Sequence, residues 1–218
     1  MPELLALLLQ GLWESLYMTL VSTLLAYVLG LPLGLVLVVT DRDGICPVPW
    51  LNTVLGVVVN MLRSVPFLIL LVAIIPFTRL VVGTFIGSTA TIVPLVIGSA
   101  PFVARMVESS IKEVDAGVVE AAQSMGASPF QIVWKVLLPE AKPSLVVGAA
   151  IAVTTILSYS ALAGFVGGGG LGAIAINYGY YRYQSEIMLV TVLILVVIVQ
   201  VLQEVGMRLS RAGDKRIR

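Results

Sequence analysis

Five apolar stretches, each about as long as a bilayer is thick, divide this chain: residues 15–40, 51–76, 89–107, 143–166 and 187–205. A helix needs roughly 20 apolar residues to cross the hydrocarbon core, so each stretch predicts one membrane helix. The second is interrupted at Val65-Pro66, because a proline pushes the residue before it out of the helical region. No long alternation of apolar and polar positions occurs, which argues against a membrane β-barrel. Ahead of the first span, residues 1–10 are apolar and carry Glu3 as their sole charge. No basic residue precedes that run and no small-residue cleavage site follows it, so a cleaved leader is not expected. The expectation is a short interfacial helix with Trp13 at the headgroup level.

Between the third and fourth spans the pattern changes. Residues 108–142 form a polar insert with helix punctuation. Asp115 is placed to cap a helix running to about Met125, with Gly126 taking the left-handed stop. Ser128, Pro129 and Gln131 then open a second helix: a cap, a proline at the first helical position and the partner of a capping box. This helix is expected to run to about Leu138 and to end before Pro139. Its Phe130, Val133, Trp134 and Leu137 share one apolar face. The insert is either a hairpin packed on the chain's own membrane helices or a short helix offered to a soluble partner. In the second case Phe130 and Trp134 are the anchors, since aromatics dominate interface energetics. Ala121 and Ala122 keep the first helix slim enough for another helix to approach.

Composition strengthens the membrane reading. The 218 residues are 59% hydrophobic and 11% charged, against roughly 25% charged in a soluble domain. Mean hydropathy is +1.05. A net charge of +1 offers no field for nucleic acid. One cysteine, Cys46, excludes an internal disulfide. The absence of histidine removes the commonest metal ligand and general base. Enzymes of several classes and a Cys-rich metal site are therefore not expected, and no catalytic residue, metal ligand or cofactor is assigned to this chain.

Basic residues orient the spans. With the N-terminus outside, ten face the cytoplasm: Arg42, Arg105, Lys112, Lys135, Lys142, Arg208, Arg211, Lys215, Arg216 and Arg218. Arg79 and Arg182 lie outside, and Arg63 falls within a span. The predicted fold is an all-α integral membrane protein of five transmembrane helices, N-terminus outside and C-terminus cytoplasmic. It forms one domain over residues 1–218 with a core of about 13–205, and the polar insert faces the cytoplasm. Five helices are few to enclose a solute path and show no internal repeat. A homodimer with the path on its two-fold axis would solve that.

Other features carry two readings each. Gly167, Gly168, Gly169, Gly170 and Gly172 lie in GGGGLG. This string formally contains a dinucleotide fingerprint, but it follows a membrane span, not a strand. It is either a packed turn or a backbone-lined turn near the outer mouth where two subunits approach. The fourth span is the most polar, with Thr154, Thr155, Ser158, Tyr159 and Ser160. Its hydroxyls either bond within the helices or line the solute path. Thr155, Ser158 and Tyr159 are the path candidates, with Leu162 as an apolar constriction. Arg63 either snorkels from a helix break, where Ser64 would cap the restart, or has a function. Arg105 and Glu108 are expected at the interface, and Gly30 and Gly34 mark close packing.

The insert resembles the EAA loop of bacterial ABC importer permeases of type I. That pattern is Glu-Ala-Ala, three residues, Gly, nine residues, Ile, one residue, Leu-Pro. Glu120, Ala121, Ala122, Gly126, Leu138 and Pro139 match, and Val136 stands at the Ile position. RSVPFLILL from Arg63, VPLVIGSAPFVARMVE from Val93, YSALAGFVGGGGLG from Tyr159 and NYGYYRY from Asn177 extend the resemblance over nearly the whole chain. Together they are most similar to the permease subunit of the methionine importer. The resemblance implies a multi-pass protein of the bacterial inner membrane that works as a homodimer. It implies two copies of a separate ABC ATPase, which binds the ATP and magnesium and docks on this loop. A periplasmic or lipid-anchored solute-binding protein would deliver methionine, in the L form with the D form left open. G-x-x-x-x-G-K-[ST] is absent here, in keeping with ATP binding elsewhere. Alternatives are the permease of another small-amino-acid importer, a stand-alone secondary transporter or channel, or a structural membrane protein with a partner-binding loop.

Overall fold

A computed structural model describes residues 2–213. Lys215, Arg216 and Arg218 of the basic tail lie outside the described residues. Among the described residues there are ten α-helices and no strand. In chain order they are α1 (Pro2–Val39), α2 (Pro49–Ser64), α3 (Phe67–Ala73), α4 (Ile75–Val82), α5 (Ser88–Lys112), α6 (Ala116–Ser124), α7 (Pro129–Ile132), α8 (Leu138–Leu162), α9 (Gly170–Ile174) and α10 (Ser185–Gly213). Four helical stretches are long and apolar enough to cross a membrane, and α2 with α3 make a fifth if that broken pair is one span.

Three expectations are corrected. First, residues 2–10 are not a separate interfacial helix but the first turns of α1. Gly11 is the only weak helix former between the two segments, and one glycine costs about 1 kcal/mol, too little to end an apolar helix. Second, Ser64 does not cap α3. Its Oγ donates back to Asn60 O at 2.8 Å, and Pro66 precedes α3 without a side-chain cap.

Third, the helix of the insert does not stop before Pro139. A π turn, Val133–Leu137, carries α7 straight into α8. Leu138 N–H donates to Val133 O across the wider ring. Proline has no N–H and clashes with the carbonyl four residues back. A π turn beside Pro139 relieves both, since such bulges open the ladder locally.

Two compact units emerge from the contacts. The first comprises Met1–Ala26, Val65–Ser99 and Ala152–Gln203. Met18, Leu95, Ile156, Leu157 and Leu171 are fully enclosed within it. The second comprises Tyr27–Ser64, Ala100–Ile151 and Glu204–Arg218, with Leu37, Val59, Val103, Val107, Ile111 and Ile132 enclosed.

Lipid tails are as apolar as leucine, so membrane helices associate by close van der Waals contact and hydrogen bonds. In the second unit Gly30 and Gly34 of α1 supply that closeness. A Cβ on Gly30 would meet Val103 Cγ1 at 2.7 Å, and one on Gly34 would meet Ala104 O at 2.6 Å. By contrast α10 leaves Leu189, Leu193, Val196, Val197 and Val201 exposed, a surface suited to lipid.

Candidate coupling site

The polar insert lies within the second unit. Asp115 caps α6, its carboxylate accepting from Gly117 N–H at 2.7 Å. The helix ends at Met125, and Gly126 follows with φ +77° and open space around it. Ser128 and Gln131 form the complete capping box of α7, with Pro129 at its first position. Ser128 N–H donates to Gln131 Oε1 at 2.9 Å.

The face anticipated for this helix, Phe130, Val133, Trp134 and Leu137, divides in two. Leu137 is buried and Val133 half-buried, and with Ile132, a residue outside that face and 1% exposed, they hold the helix to the body of the unit. Phe130 and Trp134 point away, 75% and 62% exposed. Their rings stack on one another with centroids 6.3 Å apart and planes within 3°. Four residues of helix put the two rings one above the other, so they form a small rigid aromatic plate. On α6, Glu120 and Ala121 are exposed whereas Ala122 is buried. Leu138 is half-buried and Pro139 exposed. Met125, 82% exposed at the end of α6, adds an adaptable apolar side chain that the motif did not single out. Its signal in the sequence was an apolar residue next to the stop glycine.

The glycine turn lies in the first unit and is consumed by contacts within the chain. Gly167, Gly169 and Gly170 have φ of +81°, +81° and +73°. A Cβ on Gly168 would meet Thr91 Oγ1 at 2.7 Å, and one on Gly172 would strike Ala161 O. Glu14, about a third of the way along α1, accepts from Gly170 N–H at 2.7 Å and from Gln10 Nε2 at 2.9 Å. Ser15 Oγ accepts from Leu171 N–H at 2.9 Å. Sequence reasoning missed Glu14, because nothing local to it announces a partner 156 residues away.

On α8, Ser158 and Leu162 are exposed and Thr155 is half-buried. Ser158 Oγ donates back to Thr154 O at 3.1 Å. Tyr159 is turned onto Phe67 of α3, with ring centroids 4.4 Å apart and planes within 6°. Arg63 is exposed. Arg105 and Glu108 are paired.

Several helices of membrane length, with one structured polar insert between two of them, are the architecture of a multi-pass membrane component. The family model for the inner membrane component of binding-protein-dependent transport systems matches residues 28–218. The chain belongs to that family. It is 55% identical over 210 residues to the probable D-methionine transport system permease protein MetI of Vibrio cholerae, covering 96% of this chain and 93% of that one. With the D-methionine transport system permease protein MetI of Escherichia coli it is 49% identical over 158 residues, 72% and 73% of the two chains. A chain of the inward-facing MetNI methionine ABC transporter superposes with a TM-score of 0.95 at 49% identity, covering 96% and 97% of the two chains.

Proposed function

We propose that this chain is the transmembrane permease subunit of an ATP-driven methionine importer. It works as a homodimer that provides the solute path, and ATP hydrolysis belongs to a separate ABC ATPase. The observation that carries the coupling role is the exposed Phe130–Trp134 stack on a helix whose other face is buried. Two aromatic rings held rigid in water lower the ordering cost of docking. Glu120, Ala121, Ala122, Gly126, Leu138 and Pro139 complete the docking segment.

Orientation follows from the lysine and arginine count, with the insert in the cytoplasm and the N-terminus outside. ATP binding closes the ATPase pair, draws on residues 120–139 and turns the dimer from inward-facing to outward-facing. The helix of the docking segment runs on through its π turn into α8 without a loop between them, which suits this role. Thr155, Ser158, Tyr159 and Leu162 face the path on this reading, and the glycine turn at Gly167–Gly172 shapes its outer end. A solute-binding protein outside delivers methionine, whose zwitterion and apolar side chain suit a path without fixed charge.

The test is the native mass of the complex carried by a tagged chain, followed by uptake in proteoliposomes. Two copies of this chain with two ATPases, and ATP-dependent uptake of labelled methionine, are expected. A chain that never retains an ATPase under co-expression at low salt overturns the coupling role. An intact complex that moves another small amino acid and not methionine overturns the substrate.

A further inference from the structure

In the second unit, the loop of residues 40–48 after α1 is bound back onto its own helix end. Cys46 N–H donates to Val39 O, Val48 N–H to Thr40 O and Gly44 N–H to Asp41 O, each at 3.0 Å. Asn52 of α2 donates to Leu37 O at 2.5 Å, one of the carbonyls that a helix leaves unpaired at its C-terminus. Gly44 lies so close to the helix end that a Cβ there would meet Val39 O at 2.6 Å. The loop therefore has one shape and is not a slack connector.

From this loop a chain of charge-assisted bonds runs to α5 and α2. Asp41 Oδ1 accepts from Arg42 N–H at 2.8 Å, and Oδ2 accepts from Lys112 Nζ at 2.7 Å. Lys112 Nζ lies 3.0 Å from Glu108 Oε1. Glu108 Oε2 accepts from Arg105 Nη1, and Arg105 Nη2 donates to Gly56 O of α2 at 3.0 Å. Lys112 is the last residue of α5, and Asp115, which caps α6, follows three positions later. Loop and α6 also face one another across a cavity of about 320 Å³, with Asp43 and Ile45 in one wall and Val119, Glu120 and Gln123 in the other.

The Asp41–Lys112 pair joins residues 71 apart in sequence. Its side chains are 33% and 47% exposed. Pairs that wet contribute little to stability, so a purely static role explains poorly why Asp41 is held so well. Its place does offer a role: it fastens the end of α1 to the point where the docking segment leaves α5.

We propose that Asp41 and Lys112 are positioning residues for energy coupling. Their bond makes the loop of residues 40–48 move with the base of α6, so that displacement of residues 120–139 reaches α1 and α2 directly. The proposal rests on the coupling role assigned to that segment above.

The experiment compares Asp41→Asn, Lys112→Met, the double variant and Lys112→Arg in the assembled complex in proteoliposomes. Complex mass, melting temperature, ATP hydrolysis and labelled methionine uptake are measured on each. Both single variants are expected to assemble and hydrolyse ATP as wild type does and to melt within about 3 °C of it at neutral pH, because a pair this exposed contributes little to stability. Uptake per ATP should fall about fivefold, the low end of coupling between sites. The double variant should be no worse than Lys112→Met alone, because that change already removes the bond to Asp41, and Lys112→Arg should retain uptake. Wild-type uptake per ATP in both single variants overturns the proposal, as does a double variant whose loss is the product of the two. A fall in melting temperature that accounts for the lost uptake also overturns it, reducing the pair to a structural role. Failure of the coupling reading itself looks different: the wild-type complex would lack the ATPase, and the proposal would fall with it.

Discussion

Truncating Trp134 to alanine should separate docking from folding. The ring is 62% exposed, and an aromatic side chain buries up to about 250 Å² when enclosed. Roughly 150 Å² therefore remains for a partner to cover, which at about 25 cal/mol per Å² sets an upper bound near 4 kcal/mol. Hot-spot truncations cost about 2 kcal/mol or more, so the ATPase should bind roughly 30-fold to several hundred-fold more weakly. Inside the chain the loss is small, because the ring's stack on Phe130 is worth about 1 kcal/mol. Leu137→Ala is the control. At 5% exposure that side chain is part of the body, and its removal should cost about 2–5 kcal/mol of stability. The assay is titration of purified ATPase against each variant in detergent, alongside thermal unfolding of the permease alone. Binding within threefold of wild type by a folded Trp134→Ala chain would refute the reasoning. So would a loss of thermal stability as large as that of Leu137→Ala.

Three further outcomes follow from local geometry. Gly34→Val should lower the melting temperature in detergent, because its Cβ would lie 2.6 Å from the backbone oxygen of Ala104 and overpacking costs about 1–3 kcal/mol; an unchanged melting temperature would refute the close packing of α1 on α5. Glu14→Ala removes the acceptor of Gly170 N–H and should destabilise the chain by about 1–3 kcal/mol. Glu14→Gln should recover much of that, and equal melting of both variants would show that the cap is dispensable. Asp41 has its carboxyl held below the usual range, first by the Lys112 ammonium and next by the Arg42 backbone N–H. Its stabilising contribution is present above the ordinary carboxylate pKa of about 4 and is lost as pH falls through the lowered folded value. Asp41→Asn should remove that part of the acid-side loss in a pH series of thermal unfolding. A small gap between wild type and Asp41→Asn near neutral pH that fails to narrow as pH falls below about 4 would count against the pairing.

Membrane spans, the caps of the insert and the stop at Gly126 are legible in the sequence because each depends on residues within a few positions. Twenty apolar residues in a row have few alternatives to a membrane helix, and Ser128, Pro129 and Gln131 meet across three positions. The break of the second span at Val65-Pro66 is local in the same sense, since proline constrains its neighbour directly. That Phe130 and Trp134 are offered to solvent was one of two open readings. The apolar pattern placed them on one face with Leu137, and only burial of Ile132 and Leu137 separated the packed side from the free one.

The remaining features were decided by contacts between residues far apart in the chain. Pro139 reads as a terminator, yet a π turn absorbs its missing donor and carries the insert's helix on into α8. Such a bulge depends on how the helix packs on either side. Glu14 carries no signal of its own in the sequence, but it accepts from Gly170 N–H across 156 residues. Lys112 reads only as one of ten cytoplasmic basic residues, yet it is bonded to Asp41 across 71. The sequence by itself determines which segments are apolar helices and where local caps and glycine stops fall, because propensity, capping and hydropathy act over a few residues. The tertiary structure alone decides which polar groups meet, because a buried donor takes whichever acceptor packing brings within about 3 Å.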